Sequence, residues 1–266
     1  MKHVVITGGT RGIGFGLASS FVRQGFRTSI TGRDLENVQK AVSKLSELAA
    51  SAEVNGFVCD ITVPDQVRTV WEQASALSRI DIWINNAGAG HATLNFSELD
   101  EAQIRSVLRT NLEGTMLTTR IVMQGMAAQG SGMIYLMEGF GSDGRIMNGM
   151  SVYGTSKNAL RYFARSVIAE ARGGTVGICT LSPGMVVTDL LTGPVREDTP
   201  LNRSALRIFN ILADEVETVT PWLVKKIAAN TKHGASISWL TGRKIMLRVI
   251  GNMFRKRQLE SLRNLH

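Results

Sequence analysis

The chain has 266 residues, 44% hydrophobic and 20% charged, with a formal net charge of +8. This is globular composition at the size of one large α/β domain, and it excludes wholesale disorder. No run approaches the roughly 20 apolar residues of a membrane span. Two Cys cannot build a disulfide framework, and four scattered His (His3, His91, His233, His266) lack zinc-ligand spacing, so no metal is expected.

The basic excess is local. Residues 225–266 hold ten Lys and Arg and one acid, Glu260, a net of +9, which leaves −1 for the rest of the chain. Such a tail favours an anionic partner (membrane surface, polyanion or acidic subunit) or is simply a solvated basic helix end; no nucleic acid is expected.

In chain order, short β-rich runs alternate with helical stretches, which predicts a parallel sheet covered on both faces: a doubly wound α/β fold in a single domain, 1–266. Strands are expected at 4–7, 27–31, 56–60, 80–84, 133–137, 176–181 and 236–240. Helices are expected at about 13–24, 34–50, 64–77, 100–126 and 152–171. There is no room for a signal or transit peptide ahead of the first strand, which suggests a cytoplasmic protein. Residues 185–222 are the least strand-like and read as a substrate lid, with Thr199-Pro200 as N-cap and first position of a helix over 201–212. The last stretch, 243–266, is a basic amphipathic tail. Met246, Val249, Ile250, Met253 and Phe254 share one helical face. That face fits an anionic membrane surface, the protein's own body or a second subunit.

The first strand runs into Thr7-Gly8-Gly9-Thr10-Arg11-Gly12-Ile13-Gly14. A glycine-rich turn between strand and helix lets backbone approach a pyrophosphate at a helix N-terminus. An acid at the end of the second strand would select NAD; here the chain has Thr31-Gly32-Arg33, with Asp34 one step on. Arg33 and Arg11 suit a 2′-phosphate, which favours NADP(H). Further on, Tyr153 and Lys157 stand four apart on one helix face, where an ammonium favours the phenolate.

With Asn85-Asn86-Ala87-Gly88 between them, these motifs resemble the short-chain dehydrogenase/reductase family over roughly residues 2–190. The resemblance implies a Rossmann fold and hydride transfer with nicotinamide. It implies Tyr153 as proton donor, Lys157 on the nicotinamide ribose and lowering the Tyr153 pKa, and Asn111 holding a proton-relay water. Asp60 and Asn86 would flank the adenosine half, Ile61, Gly88 and Pro183 would line the cofactor, and Thr188 would meet the carboxamide. The family's usual Ser after the fifth strand falls near Gly139 or Phe140; Ser142 is the nearest hydroxyl and, if the glycine-rich loop folds back, the candidate to replace it as the catalytic carbonyl-polarising group, against a plain loop serine.

The loop Met137-Glu138-Gly139-Phe140-Gly141-Ser142-Asp143-Gly144 is similar to that of chlorophyll b reductases. So are Leu181 to Leu191, Phe209-Asn210-Ile211-Leu212 and Trp239-Leu240-Thr241. This narrower resemblance implies NADPH-dependent reduction of a formyl group on a hydrophobic, tetrapyrrole-sized substrate. Gly139, Gly141 and Gly144 would leave room for it, and Leu190, Leu191, Ile208, Phe209 and Ile211 would form an apolar lid. A general carbonyl reductase and a non-catalytic NADP(H) sensor are the competing readings. The family also implies a homo-oligomer. His91 reads as a loop histidine, and Cys59 and Cys179 as buried thiols.

Overall fold

The computed structural model describes residues 1–193, 199–254 and 256–262. Seven parallel strands form one sheet: β1 (His3–Ile6), β2 (Arg27–Gly32), β3 (Val54–Val58), β4 (Ile82–Asn85), β5 (Gly132–Met137), β6 (Val176–Ser182) and β7 (Ser236–Ser238). Their order is β3-β2-β1-β4-β5-β6-β7. The helices are α1 (Gly12–Arg23), α2 (Leu35–Ser46), α3 (Pro64–Leu77), α4 (Glu101–Leu108), α5 (Thr115–Gln129), α6 (Ser151–Glu170), α7 (Asp189–Thr192), α8 (Pro200–Leu212), α9 (Val216–Ala229) and α10 (Gly242–Phe254).

Period-2 alternation splits the central strands between two cores. Ile82, Ile84, Tyr135 and Met137 face α1 and α9. Trp83, Ile134 and Leu136 face α3, α5 and α6. The sheet order reverses between β1 and β4, and Ile6 pairs with Ile84 there. Open α/β sheets bind ligands beyond the carboxyl ends of strands at such a point.

Two segments differ from the sequence expectation. The single helix expected over 100–126 is interrupted by a π-helix, Arg109–Gly114; such single-turn insertions are frequent at functional sites. Of the stretch 185–222, residues 216–222 open α9, which buries Val219, Leu223, Val224 and Ile227 in the core despite Pro221 inside it. The expected N-cap is observed, with the Thr199 hydroxyl accepting from the Asn202 N–H at 3.2 Å.

Candidate active site

A cleft of about 480 Å³ opens where β1, β4, β5 and β6 end. Its floor is the glycine turn. Thr7 Oγ1 accepts the N–H of Asn86 at 3.0 Å and of Ala87 at 3.1 Å. Asn86 Nδ2 donates back to the carbonyls of Thr7 and Gly8, at 2.9 and 3.1 Å. Asn86 is therefore a clamp between two loops as well as part of the cleft wall. An added Cβ on Gly14 would collide with the Gly8 carbonyl, so only glycine permits this turn. Arg11, the N-cap of α1, makes no side-chain cap, and the first N–H groups of the helix face the cleft free of one. This is a cradle for an anionic phosphate group.

Gly8, Thr10, Arg11, Gly12, Ile13 and Gly14 all line the cleft. At its polar end stand Arg33, Asp34, Asn37, Asp60 and Ile61. The Asp34 carboxylate accepts the Asn37 N–H at 2.8 Å and caps α2. Asp60 accepts the Thr62 N–H at 2.9 Å. At the other end are Gly88, Pro183 and Thr188. Thr188 abuts the turn, since a Cβ on Gly12 would lie 3.2 Å from its methyl. The neighbouring Asp189 pairs with Arg11 at 3.7 Å, an exposed ion pair worth little on its own. These residues fit a nicotinamide dinucleotide from phosphate cradle to carboxamide contact.

Tyr153 and Lys157 project from α6 into the same cleft. Lys157 Nζ donates to the Met137 carbonyl at 3.2 Å and lies 5.9 Å from the centroid of the Tyr153 ring. The lowering of the Tyr153 pKa expected from Lys157 is absent. Burial dominates and pushes the phenol up to about 12, while the ammonium is turned to the carbonyl. A protonated phenol is the state a proton donor for reduction requires. Burial also brings Lys157 down to about 8, partly offset by the Glu138 carboxylate, which raises it. Glu138 is itself raised by burial and opposed by Arg161, 3.9 Å away.

A pH effect follows. Lys157 loses its proton as pH rises through about 8, so reductive turnover is expected to fall on that alkaline limb. Glu138→Gln removes the charge that raises Lys157 and should move the limb to lower pH. A pH profile of kcat/KM checks this, and an unmoved limb would remove Glu138 from the site's electrostatics.

Asn111 is fully buried on the π-helix. Its Oδ1 accepts the Ala89 N–H at 2.7 Å, and its Nδ2 donates to the Ala89 carbonyl at 2.9 Å and to Ser156 Oγ at 3.0 Å. Ser156 in turn donates to the Tyr153 carbonyl at 2.7 Å. Asn111 thus ties the Asn-Asn-Ala-Gly loop to the helix that carries the phenol. His91, read from sequence as a plain loop residue, does the same. It accepts the Tyr153 N–H at Nε2, 3.2 Å, and its Nδ1 lies 2.7 Å from the Ala92 carbonyl. No sequence signal separated it from an idle histidine, because the partner is 62 positions away.

Ser142 is not brought to the phenol. It is buried, lies outside the cleft lining and accepts the Gly139 N–H at 3.0 Å. Gly139 occupies the place beside the phenol: a Cβ there would stand 2.6 Å from Tyr153 Oη. Of the three glycines expected to leave room, only Gly139 lines the cleft. Gly141 packs against Gly154, and a Cβ on Gly144 would meet open space. Leu190, Leu191 and Phe209 form the apolar wall, joined by Met147, Met150 and Met185. Ile208 and Ile211 do not line the cleft, and Ile208 is 37% exposed. Both cysteines are buried, as expected.

A Rossmann-type sheet carrying a Tyr-x-x-x-Lys pair over a glycine-turn cleft is the architecture of a nicotinamide-dependent oxidoreductase. The short chain dehydrogenase family model matches residues 2–199, and the chain belongs to that family. It is 35% identical to the Arabidopsis thaliana protein named "Probable chlorophyll(ide) b reductase NYC1, chloroplastic", over 96% of this chain and 54% of that one. The chain therefore spans about half the length of that relative. It is 34% identical to chlorophyll(ide) b reductase NOL of the same plant, over 94% of this chain and 73% of NOL. The crystal structure of levodione reductase superposes with a TM-score of 0.80 at 24% identity, over 91% of this chain and 97% of that one, which shows the shared fold.

Proposed function

We propose that this protein is an NADPH-dependent reductase of an aromatic-macrocycle aldehyde, converting the formyl group of chlorophyll(ide) b to hydroxymethyl. The observation that carries this reading is the gap at Gly139, which leaves the Tyr153 phenol as the acid at the end of an apolar wall of Met147, Met150, Leu190, Leu191 and Phe209. Similarity to chlorophyll(ide) b reductases along nearly the whole chain supports the same substrate class.

NADPH, when bound, supplies the hydride to the formyl carbon. Tyr153 gives its proton to the formyl oxygen as that carbon is reduced, so aldehyde, hydride and proton balance to a primary alcohol. Lys157 holds positive charge beside the resulting phenolate, and His91 and Asn111 hold the phenol's helix in place. The Ser142 hydroxyl accepts the Gly139 N–H and lies outside the cleft lining, so the phenol is the hydroxyl that meets the carbonyl oxygen in the cleft.

NADPH is favoured over NADH because Asp34, the nearest acid to the end of β2, caps α2, while Arg33 lines the cleft beside it and Arg11, held only by an exposed ion pair to Asp189, can turn to a 2′-phosphate. Arg33→Ala is expected to weaken NADPH by about tenfold and leave NADH nearly unchanged. Fluorescence titration with both cofactors checks it, and an equal effect on both would remove the assignment.

The function itself is tested by incubating the purified protein with NADPH and either chlorophyllide b or small aldehydes. Preference for chlorophyllide b supports the reading. Turnover of small aldehydes only would instead favour a general carbonyl reductase, for which the cleft volume is sufficient.

A further inference from the structure

Helix α10 is built inside out. A surface helix normally turns its apolar stripe to the body and its charges to water. Here no residue of α10 is buried. Met246, Leu247, Val249, Ile250, Met253 and Phe254 are all exposed, from 47% for Val249 and Ile250 to 87% for Phe254. At 3.6 residues per turn they fall on one broad arc, and Arg248 lies opposite its centre.

Arg248 faces the protein. Its guanidinium donates to both carboxylate oxygens of buried Asp214, at 2.8 and 2.7 Å, and to the Leu212 carbonyl at 2.7 Å. Arg257 adds a bond to Asp214 at 2.8 Å, and Trp239 Nε1 another at 2.6 Å. Two cations on one buried carboxylate hold the helix in a single orientation, so its apolar face is directed outward by design of the contact rather than by default.

Charge identifies the occupant of that face. Arg243 before the arc and Lys256 after it are exposed cations. The helix carries no acid, and residues 225–266 hold one acid against ten bases. A second copy of this surface would bring like charge against like. A bilayer with anionic headgroups satisfies both the apolar arc and its cationic ends.

We propose that α10 docks this protein on an anionic lipid surface, with the Met246 to Phe254 face in the boundary between headgroups and acyl chains. Among the described residues no helix is long and apolar enough to cross a membrane, so the contact is peripheral. The contact of Arg248 with Asp214 also joins α10 to the cleft wall. The Asp214 backbone exchanges hydrogen bonds with Met185 and Val187, at 3.0 and 2.9 Å, and Met185 lines the cleft. If the substrate is the pigment aldehyde proposed above, it reaches the cleft from the lipid phase; this last step alone rests on that reading.

The test is co-sedimentation of the full chain with vesicles of phosphatidylglycerol and phosphatidylcholine in equal parts, against vesicles of pure phosphatidylcholine. Binding is expected to be about tenfold or more stronger on the anionic vesicles and to fall as salt is raised. The double variant Met253→Asp, Phe254→Asp should lose about tenfold or more of that binding, with its thermal midpoint and NADPH affinity unchanged. Equal binding to both vesicles, equal binding by the variant, or a dimer that the variant splits in place of any vesicle binding would each overturn the proposal. Because binding is read without turnover, its failure leaves the reductase reading standing, and the reverse holds as well.

Discussion

Tyr153→Phe is expected to lower kcat for aldehyde reduction by about 10³-fold while NADPH affinity stays within about twofold. The phenol is protonated at neutral pH and stands over the Gly139 gap. Removing its hydroxyl deletes the acid without altering the ring that packs beside Lys157. The ring, its backbone bond to His91 and the fold of α6 should all persist. Steady-state rates beside a fluorescence titration of NADPH separate the two effects. Undiminished turnover would remove Tyr153 from the chemistry.

Gly139→Ala carries the second large effect. Its methyl would sit 2.6 Å from Tyr153 Oη, closer than carbon and oxygen approach without displacement. The phenol is the free end of a side chain, so the fold survives and the hydroxyl moves by about 1 Å. A displacement of that size costs about 10²-fold in rate. The expected result is a loss of that order in kcat/KM for the bulky aldehyde, with an unchanged thermal midpoint. A variant as fast as the parent would show that the space beside the phenol is not used.

Much of this site is legible in the sequence because it is local. The glycine turn, Arg33 with Asp34, and the Tyr153 and Lys157 pair each sit within a few residues, where strand and helix periodicity fixes their placement. What the sequence hides is long-range. His91 acquires its role from an N–H 62 residues on. Ser142 is the nearest hydroxyl in the chain, yet the turn that bonds it to the Gly139 N–H leaves it outside the cleft lining. The π-helix at 109–114 leaves no mark in hydrophobic periodicity, yet it carries Asn111 to the loop and to Ser156. The apolar stripe of α10 is plain in the sequence, but only the bonds of Arg248 to Asp214 decide that it faces outward.

The sign of the Tyr153 shift is instructive in the same way. Four-residue spacing places an ammonium near the phenol, and that alone would lower its pKa. The Met137 carbonyl, at the end of β5, draws Nζ aside, and burial then dominates. The result suits reduction, because the acid is charged with its proton before substrate arrives.

The most direct measurement follows the hydride itself. Purified protein is incubated with chlorophyllide b and NADPH deuterated at the transferring position of nicotinamide C4, and the product is analysed by mass spectrometry. A hydroxymethyl product carrying a single deuterium on the former formyl carbon is the expected result. An unlabelled alcohol, or no alcohol from a protein that binds NADPH tightly, would contradict the account.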